Sequence, residues 1–229
     1  MHNFSPNMLK TFETCPQKYW FKYVQKISLP QKSSYYAKGK KVHALAHYYL
    51  RGDDILKLET ALNSDERKVW ENLKQNEFFQ KSYVASEYNL SCKVGKYWIS
   101  GRLDALVKEP LTPTPSPKSG EGEEIFYILD YKTGQIPKNP EYDYQTMVYL
   151  LCASKKLNPR PTPPLKRDGL KPNIKFVYID LKNNQNCVID FDKDYETPII
   201  EICDKIKNAQ PSIERSKKCE FCEYRKICI

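Results

Sequence analysis

The sequence predicts an α/β domain with a central mixed sheet flanked by helices, and three observations predict it. Helical patterns come first, strands follow, then a helix, more strands and a last helix, an order that builds layers around a sheet. Forty per cent of the 229 residues are hydrophobic and thirteen per cent aromatic, enough for a packed core. The two most strand-like segments, Gly101-Arg102-Leu103-Asp104-Ala105-Leu106 and Ile128-Leu129-Asp130-Tyr131-Lys132, each carry an aspartate where a strand prefers an apolar residue.

Taken in order, Ser5-Pro6 reads as an N-cap followed by proline at the first helical position. Leu9, Phe12 and the aromatics of 19–23 follow at near-helical spacing. Cys15-Pro16 interrupts them, because proline lacks an amide donor and disfavours helix at the residue before it, so Cys15 is expected at a junction between two short helices. Residues 37–50 predict a helix stopped by Gly52, with His43 and His47 four apart on one face. A helical segment is expected over about 54–78. Strand signals run over 83–90, and a turn near Val94-Gly95-Lys96 leads into a strand over 97–107.

Residues 142–155 predict an amphipathic helix, 174–181 and 187–191 a hairpin across Asn183-Asn184, and about 195–208 a last helix. Two proline-rich stretches, about 110–123 and 158–172, read as exposed insertions. The first holds four prolines and two glycines and separates the Asp104 and Asp130 strands, which would otherwise be simply connected. The chain, 1–229, reads as a single domain carrying these insertions.

No apolar run approaches the roughly 20 residues that cross a bilayer, and the N-terminus lacks a signal-peptide core. The expectation is a cytoplasmic protein without a membrane partner. The net charge of +9 is unevenly spread. Residues 1–51 carry eight Lys and one Arg against Glu13 alone, and residues 205–228 carry seven basic against three acidic residues, so the centre is mildly acidic. This suits a protein that grips a polyanion and holds cations centrally; a merely solvated surface is the other reading of the charge. Of the eight cysteines, 15, 92, 152, 187, 203, 219, 222 and 228, only the last three cluster, and in a cytosolic chain clustered cysteines point to metal before disulfides.

Asp104 and Asp130 on neighbouring strands, with Lys132 on the same pleat face as Asp130, can hold a divalent cation and position a water. They can equally be internal salt bridges, Asp104 with Arg102 or Asp130 with Lys132, because a buried carboxylate needs a cation or donor beside it. These residues alone leave both readings open. Further features bear on the choice: His43 lies upstream on a helix, Gln145 and Tyr149 share a helix face after Lys132, Cys15-Pro16 stands near the start, and Cys219-x-x-Cys222-x5-Cys228 stands near the end.

In this order the set resembles the RecB-like branch of the PD-(D/E)XK nucleases, and within it the members with an iron–sulfur cluster: the CRISPR-associated exonucleases and the nuclease domains of bacterial helicase–nuclease complexes. The resemblance covers nearly the whole chain apart from the two insertions. It implies a restriction-endonuclease-like core with a central mixed sheet, its N-terminal helices stapled to the C-terminus by a metal cluster. It implies that His43, Asp104, Asp130 and the carbonyl of Tyr131 bind Mg²⁺ or Mn²⁺, and one imidazole among oxygens suits Mn²⁺ at least as well. Lys132 becomes the catalytic lysine, supported by Gln145 and Tyr149, with Glu87 as an outer acid.

Cys15, Cys219, Cys222 and Cys228 match the family's 4Fe–4S ligands, although four thiolates are also a zinc set. Cys92, Cys152, Cys187 and Cys203 read as small buried apolar residues. The implied activity is metal-dependent hydrolysis of DNA, as an exonuclease on single strands or ends, with CRISPR adaptation or repair proteins as partners. A non-catalytic DNA-binding or scaffolding module that keeps the fold is the alternative, and an RNA-directed nuclease a weaker one. His47 has no counterpart in the resemblance and reads as structural or DNA-facing. The segment Tyr19-Trp20-Phe21-Lys22-Tyr23, with Tyr35, Tyr36 and Lys38, Lys40 and Lys41, could line a single-strand channel, with Trp20 and Phe21 assigned to the core instead.

Overall fold

The computed structural model describes residues 3–29, 34–109, 125–157, 173–191, 194–210 and 217–228; both proline-rich stretches lie outside the described residues. Ser5 caps α1 (Pro6–Thr14) by accepting from the Met8 amide. Cys15 ends α1 and caps α2 (Pro16–Tyr19), its extended backbone and thiol acceptor serving both roles. A π-helical turn over Trp20–Val24 continues α2, and α3 (Ser34–Leu50) ends before Gly52, whose φ of +79° suits glycine.

The single helix expected over 54–78 is two. Asn63 accepts from the Glu66 amide while the Glu66 carboxylate accepts from the Asn63 amide, a capping box that begins α5 (Ser64–Lys74) after the short α4 (Leu56–Thr60).

The sheet comprises β1 (Asn3–Phe4), β2 (Ser82–Val94), β3 (Tyr97–Lys108), β4 (Phe126–Lys132), β5 (Ile174–Asp180) and β6 (Gln185–Asp190). β2 pairs antiparallel with β3 from end to end, so β1 and β4 share the other edge of β3, β1 parallel to it and β4 antiparallel. The antiparallel match of Lys108 with Phe126 places the strand ends on either side of 110–123 next to each other. β4 and β5 run parallel, joined through α6 (Tyr144–Leu157), and β6 closes the hairpin across Asn184, whose φ is +52°.

Alternation along the strands feeds two cores. Ile128, Phe176 and Tyr178 join Leu9, Phe12 and the α6 side chains, while Leu129, Val177 and Ile179 join Val42, Leu45, Trp70 and Leu73 on the opposite face. α6 departs from the amphipathic expectation: all but Gln145 of residues 144–153 are buried, as befits a crossover helix enclosed by its neighbours. α7 (Glu196–Asn208) adds Ile199, Ile202 and Cys203 to the same core.

The two ends of the chain meet. The Tyr224 ring lies 5.5 Å from Phe21, its hydroxyl donates to the Ile27 carbonyl at 3.0 Å, and Glu223 lies 3.4 Å from Lys18. Among the described residues no helix is long and apolar enough to cross a membrane.

Candidate active site

The ends of β3 and β4, the start of α6 and the middle of α3 converge on one acidic centre. The β3–β4 register pairs Ala105 with Leu129, which brings Asp104 beside Asp130 and Tyr131. Asp104 Oδ2 accepts from the Tyr131 amide at 2.8 Å, which fixes the carboxylate on the neighbouring strand. Its Oδ1 faces His43 Nδ1 at 3.2 Å, and the other ring nitrogen, Nε2, lies 3.0 Å from the Tyr131 carbonyl. Burial favours neutral His43, but the hydrogen bond and charge of Asp104, with Asp130 and the Tyr131 carbonyl, outweigh it and hold the imidazole above its ordinary pKa. An imidazole between a carboxylate and a carbonyl occupies a place where two acceptors call for positive charge.

Glu87 completes this group. Ligand atoms of His43, Glu87 and Asp104 lie within 4.8 Å of one another. Glu87 sits between the β2 partners of Ala105 and Leu103, and its φ of +49° is left-handed, a strained conformation for a side chain inside a strand. Core alternation on β3 also breaks here, since Leu103 and Leu106 reach the same core. Arg102 pairs with Glu87 at 2.9 Å, so the Arg102–Asp104 salt bridge left open by the sequence is not the arrangement adopted.

Asp130 is 3% exposed. Burial first, and then the charge of Asp104, raise its pKa to about 6 against the lowering effect of Lys132. Lys132 Nζ lies 2.7 Å from Asp130 Oδ2 and donates to Gln145 Oε1 at 2.9 Å; Gln145 Nε2 in turn donates to Asp130 Oδ1. Lys132 also stands 5.1 Å from the centre of the Tyr178 ring. Of the alternatives the sequence left open at this pair, the Asp130–Lys132 salt bridge is formed. Tyr149 lies one turn beyond Gln145, and its hydroxyl donates to the Arg102 carbonyl at 2.7 Å. Its ring fills the space above Gly101, where any Cβ would collide with it.

Of the expected metal-binding groups, His43, Asp104 and the Tyr131 carbonyl come together, and Asp130 is held just behind them by Lys132 and Gln145. The group fits a divalent cation on the chemistry of its donors: carboxylates, one imidazole and one carbonyl, with Asp130 Oδ2 buried and given no aligned hydrogen bond. A cleft of about 730 Å³ opens onto it, lined among others by Lys40, His43, His47, Tyr48, Glu87 and Arg102. His47 stands one turn from His43, with Nδ1 2.7 Å from the Ser86 hydroxyl.

Sequence reasoning gave Glu87 only an outer place; its signal was an acid that the β2–β3 register sets opposite Asp104. Tyr178 carried no signal beyond its strand. The four cysteines 15, 219, 222 and 228 lie on the two chain ends that touch, and none of the eight cysteines forms a disulfide. Among the described residues, however, only His43, Glu87 and Asp104 gather three ligand atoms within 4.8 Å, so the four thiols do not form a closed single-ion set.

Residues 3–229 match the family described as the PD-(D/E)XK nuclease superfamily. A crystal structure of a protein named "Putative exonuclease" from Eubacterium rectale aligns with TM-score 0.53 at 13% identity, over 97% of this chain and 86% of that one, a likeness of fold alone. The crystal structure of SSO0001 aligns over 100% of this chain and 86% of that one at 15% identity, with a TM-score of 0.44 that is too low to bear on the fold. No curated protein matches the sequence. The match over nearly the whole length, on a mixed sheet that presents Asp104, Asp130 and Lys132 together, shows that the chain belongs to the PD-(D/E)XK nuclease superfamily.

Proposed function

We propose that this protein is a divalent-metal-dependent deoxyribonuclease acting as an exonuclease on single-stranded DNA or DNA ends. The observation that carries the reading is the convergence of His43, Glu87 and Asp104 beside the triangle of buried Asp130 with half-buried Lys132 and Gln145, at an open cleft. His43, Glu87 and Asp104, with the Tyr131 carbonyl and Asp130 beside them, would hold Mg²⁺ or Mn²⁺, which when bound would supply charge neutralisation at the phosphate and a more acidic water.

Lys132 orients the attacking water and stabilises charge on the phosphate. Gln145 holds the Lys132 ammonium and the Asp130 carboxylate at one spacing, and Tyr149 ties α6 to the β3 backbone. Lys40 and Arg102, at the cleft, meet the backbone of the incoming strand. The similar fold named "Putative exonuclease" is consistent with that mode, and the resemblance to the CRISPR-associated branch supports a place in CRISPR adaptation or DNA repair.

The reading extends to Cys15, Cys219, Cys222 and Cys228 as ligands of a 4Fe–4S cluster bridging the chain ends. Four thiolates are a ligand set for zinc as well as for iron, and the family resemblance is what favours iron. Anaerobically purified protein should be brown and contain iron; a colourless preparation with stoichiometric zinc overturns the cluster.

Lys132→Ala and Asp104→Ala proteins should fold and leave labelled DNA uncut with Mn²⁺. Full residual cleavage by either overturns the active-site assignment. DNA binding without metal-dependent cleavage by the unsubstituted protein would favour a scaffolding module, and RNA supplied to the same preparation tests the choice of polymer.

A further inference from the structure

Two cysteines that play no part in the site stand in direct contact. Cys92 lies on β2 and Cys152 on α6, and their sulfurs are 3.2 Å apart, the Cys152 thiol having Cys92 and, at 3.8 Å, the Ile99 carbonyl as acceptors. Cys92 is 6% exposed and Cys152 fully buried. Sixty residues separate them in sequence, so nothing local requires the contact; it arises where a crossover helix crosses an edge strand.

We propose that Cys92 and Cys152 form a dithiol oxidation site that takes a two-electron oxidant of the peroxide class and closes to a disulfide pinning α6 to β2.

Three observations support it. The sulfurs need to close by only about 1.2 Å to reach a bond of about 2.05 Å. The contact also shifts the two thiols in opposite directions. Cys92 accepts the Cys152 proton and is pulled below its ordinary pKa against the opposing effect of burial, while the same contact, then burial, pushes Cys152 up. The exposure also differs: Cys92 keeps 6% of its surface open and Cys152 none, so Cys92 is the thiol an oxidant meets first.

The chemistry balances with hydrogen peroxide as the oxidant. The Cys92 thiolate attacks one peroxide oxygen, the O–O bond breaks, and the departing hydroxide takes a proton to leave as water, giving the sulfenic acid. Cys152 then attacks the Cys92 sulfur. The S–S bond forms, the S–O bond breaks, and the Cys152 proton leaves with the oxygen as a second water. Two thiols are oxidised by two electrons and one peroxide is reduced to two waters.

The disulfide would act on the helix that carries Gln145 and Tyr149, fastening its middle to β2 seven residues after Gln145. The proposal stands independently of the nuclease reading, because its measurement is a covalent bond.

The test uses the full chain, reduced, freed of reductant, exposed to hydrogen peroxide, then unfolded in iodoacetamide, digested and mapped by mass spectrometry. The expected result is a linked peptide pair joining Cys92 to Cys152, reversed by dithiothreitol, together with a raised Tm and slower amide exchange in α6. Cys92→Ser and Cys152→Ser proteins should show neither the link nor the rise. Recovery of both residues as alkylated thiols, or as unlinked sulfinic acids, overturns the proposal. Should the serine variants not fold, the unsubstituted chain oxidised in guanidinium is the comparison. A Cys92–Cys152 link that is selective in the native protein and scrambled in the unfolded one supports the site, and equal scrambling in both overturns it.

Discussion

Lys132 Nζ lies 2.7 Å from Asp130 Oδ2, the two side chains rising from one face of β4 with a single residue between them. Gln145 closes the pair by donating to Asp130 and accepting from Lys132. Gln145→Leu keeps the volume and removes both hydrogen bonds. The expected outcome is a fall in kcat of about 10- to 100-fold with Mn²⁺ affinity changed only a few-fold, read by cleavage and calorimetry. Gln145→Glu should be worse, because it sets a second carboxylate where Asp130 now receives an N–H. Equal activity for both variants would remove Gln145 from the proposed machinery.

Glu87 joins backbone strain to a ligand position, and substitution separates the two. Glu87→Gly releases a left-handed φ of +49° that glycine adopts freely. Metal-free protein should gain about 1 kcal/mol in denaturant unfolding from that release. The same variant loses a carboxylate from the His43–Asp104 group, so Mn²⁺ affinity should fall about 10-fold or more. Opposite signs from one substitution are the signature. A loss of stability without metal would assign the Glu87–Arg102 ion pair, 2.9 Å long, the larger share.

Much of the site was legible because period-2 alternation and strand order are local. Asp104, Asp130 and Lys132 stand out in apolar runs, and their strands pair as the sequence order suggested. Helical spacing put Gln145 and Tyr149 on one face, and only the family resemblance assigned that face to the site. The break between α4 and α5 was present as Asn63-x-x-Glu66, but helical periodicity on both sides masked it. What the sequence withheld depends on tertiary contact: the left-handed turn of Glu87, the Tyr178 ring beneath Lys132 and the touching sulfurs of Cys92 and Cys152. None of these has a local propensity to report it.

Gly101 and Tyr149 share one space. A methyl at 101 would enter the Tyr149 ring, so Gly101→Ala must displace either the ring or β3. The expected cost is about 1–3 kcal/mol of overpacking, with activity falling further because the Tyr149 hydroxyl leaves the Arg102 carbonyl. Tyr149→Phe tests the hydroxyl alone and should cost about 1 kcal/mol. Restoration of Gly101→Ala stability by adding Tyr149→Ala would establish the steric coupling; additive losses in a double-mutant cycle would contradict it.

The C-terminal tail is held on the N-terminal helices by contacts of unequal worth. Lys18 and Glu223 are 3.4 Å apart, the one partly and the other well exposed, and such surface pairs contribute about 0–1 kcal/mol. Tyr224 is 4% exposed, packs on Phe21 and donates to the Ile27 carbonyl, so it carries apolar burial and a hydrogen bond together. In metal-free protein Tyr224→Ala should therefore release residues 217–228 to limited proteolysis, at a cost of about 3 kcal/mol to tail docking, while Lys18→Ala leaves the cleavage rate unchanged. The two variants also test the cluster. If Cys15 and the three tail cysteines share one, Tyr224→Ala protein should retain the tail when purified anaerobically with iron and lose it when chelator strips the metal. A tail equally protease-sensitive with and without iron would show that Tyr224, and not a metal, joins the two ends of the chain.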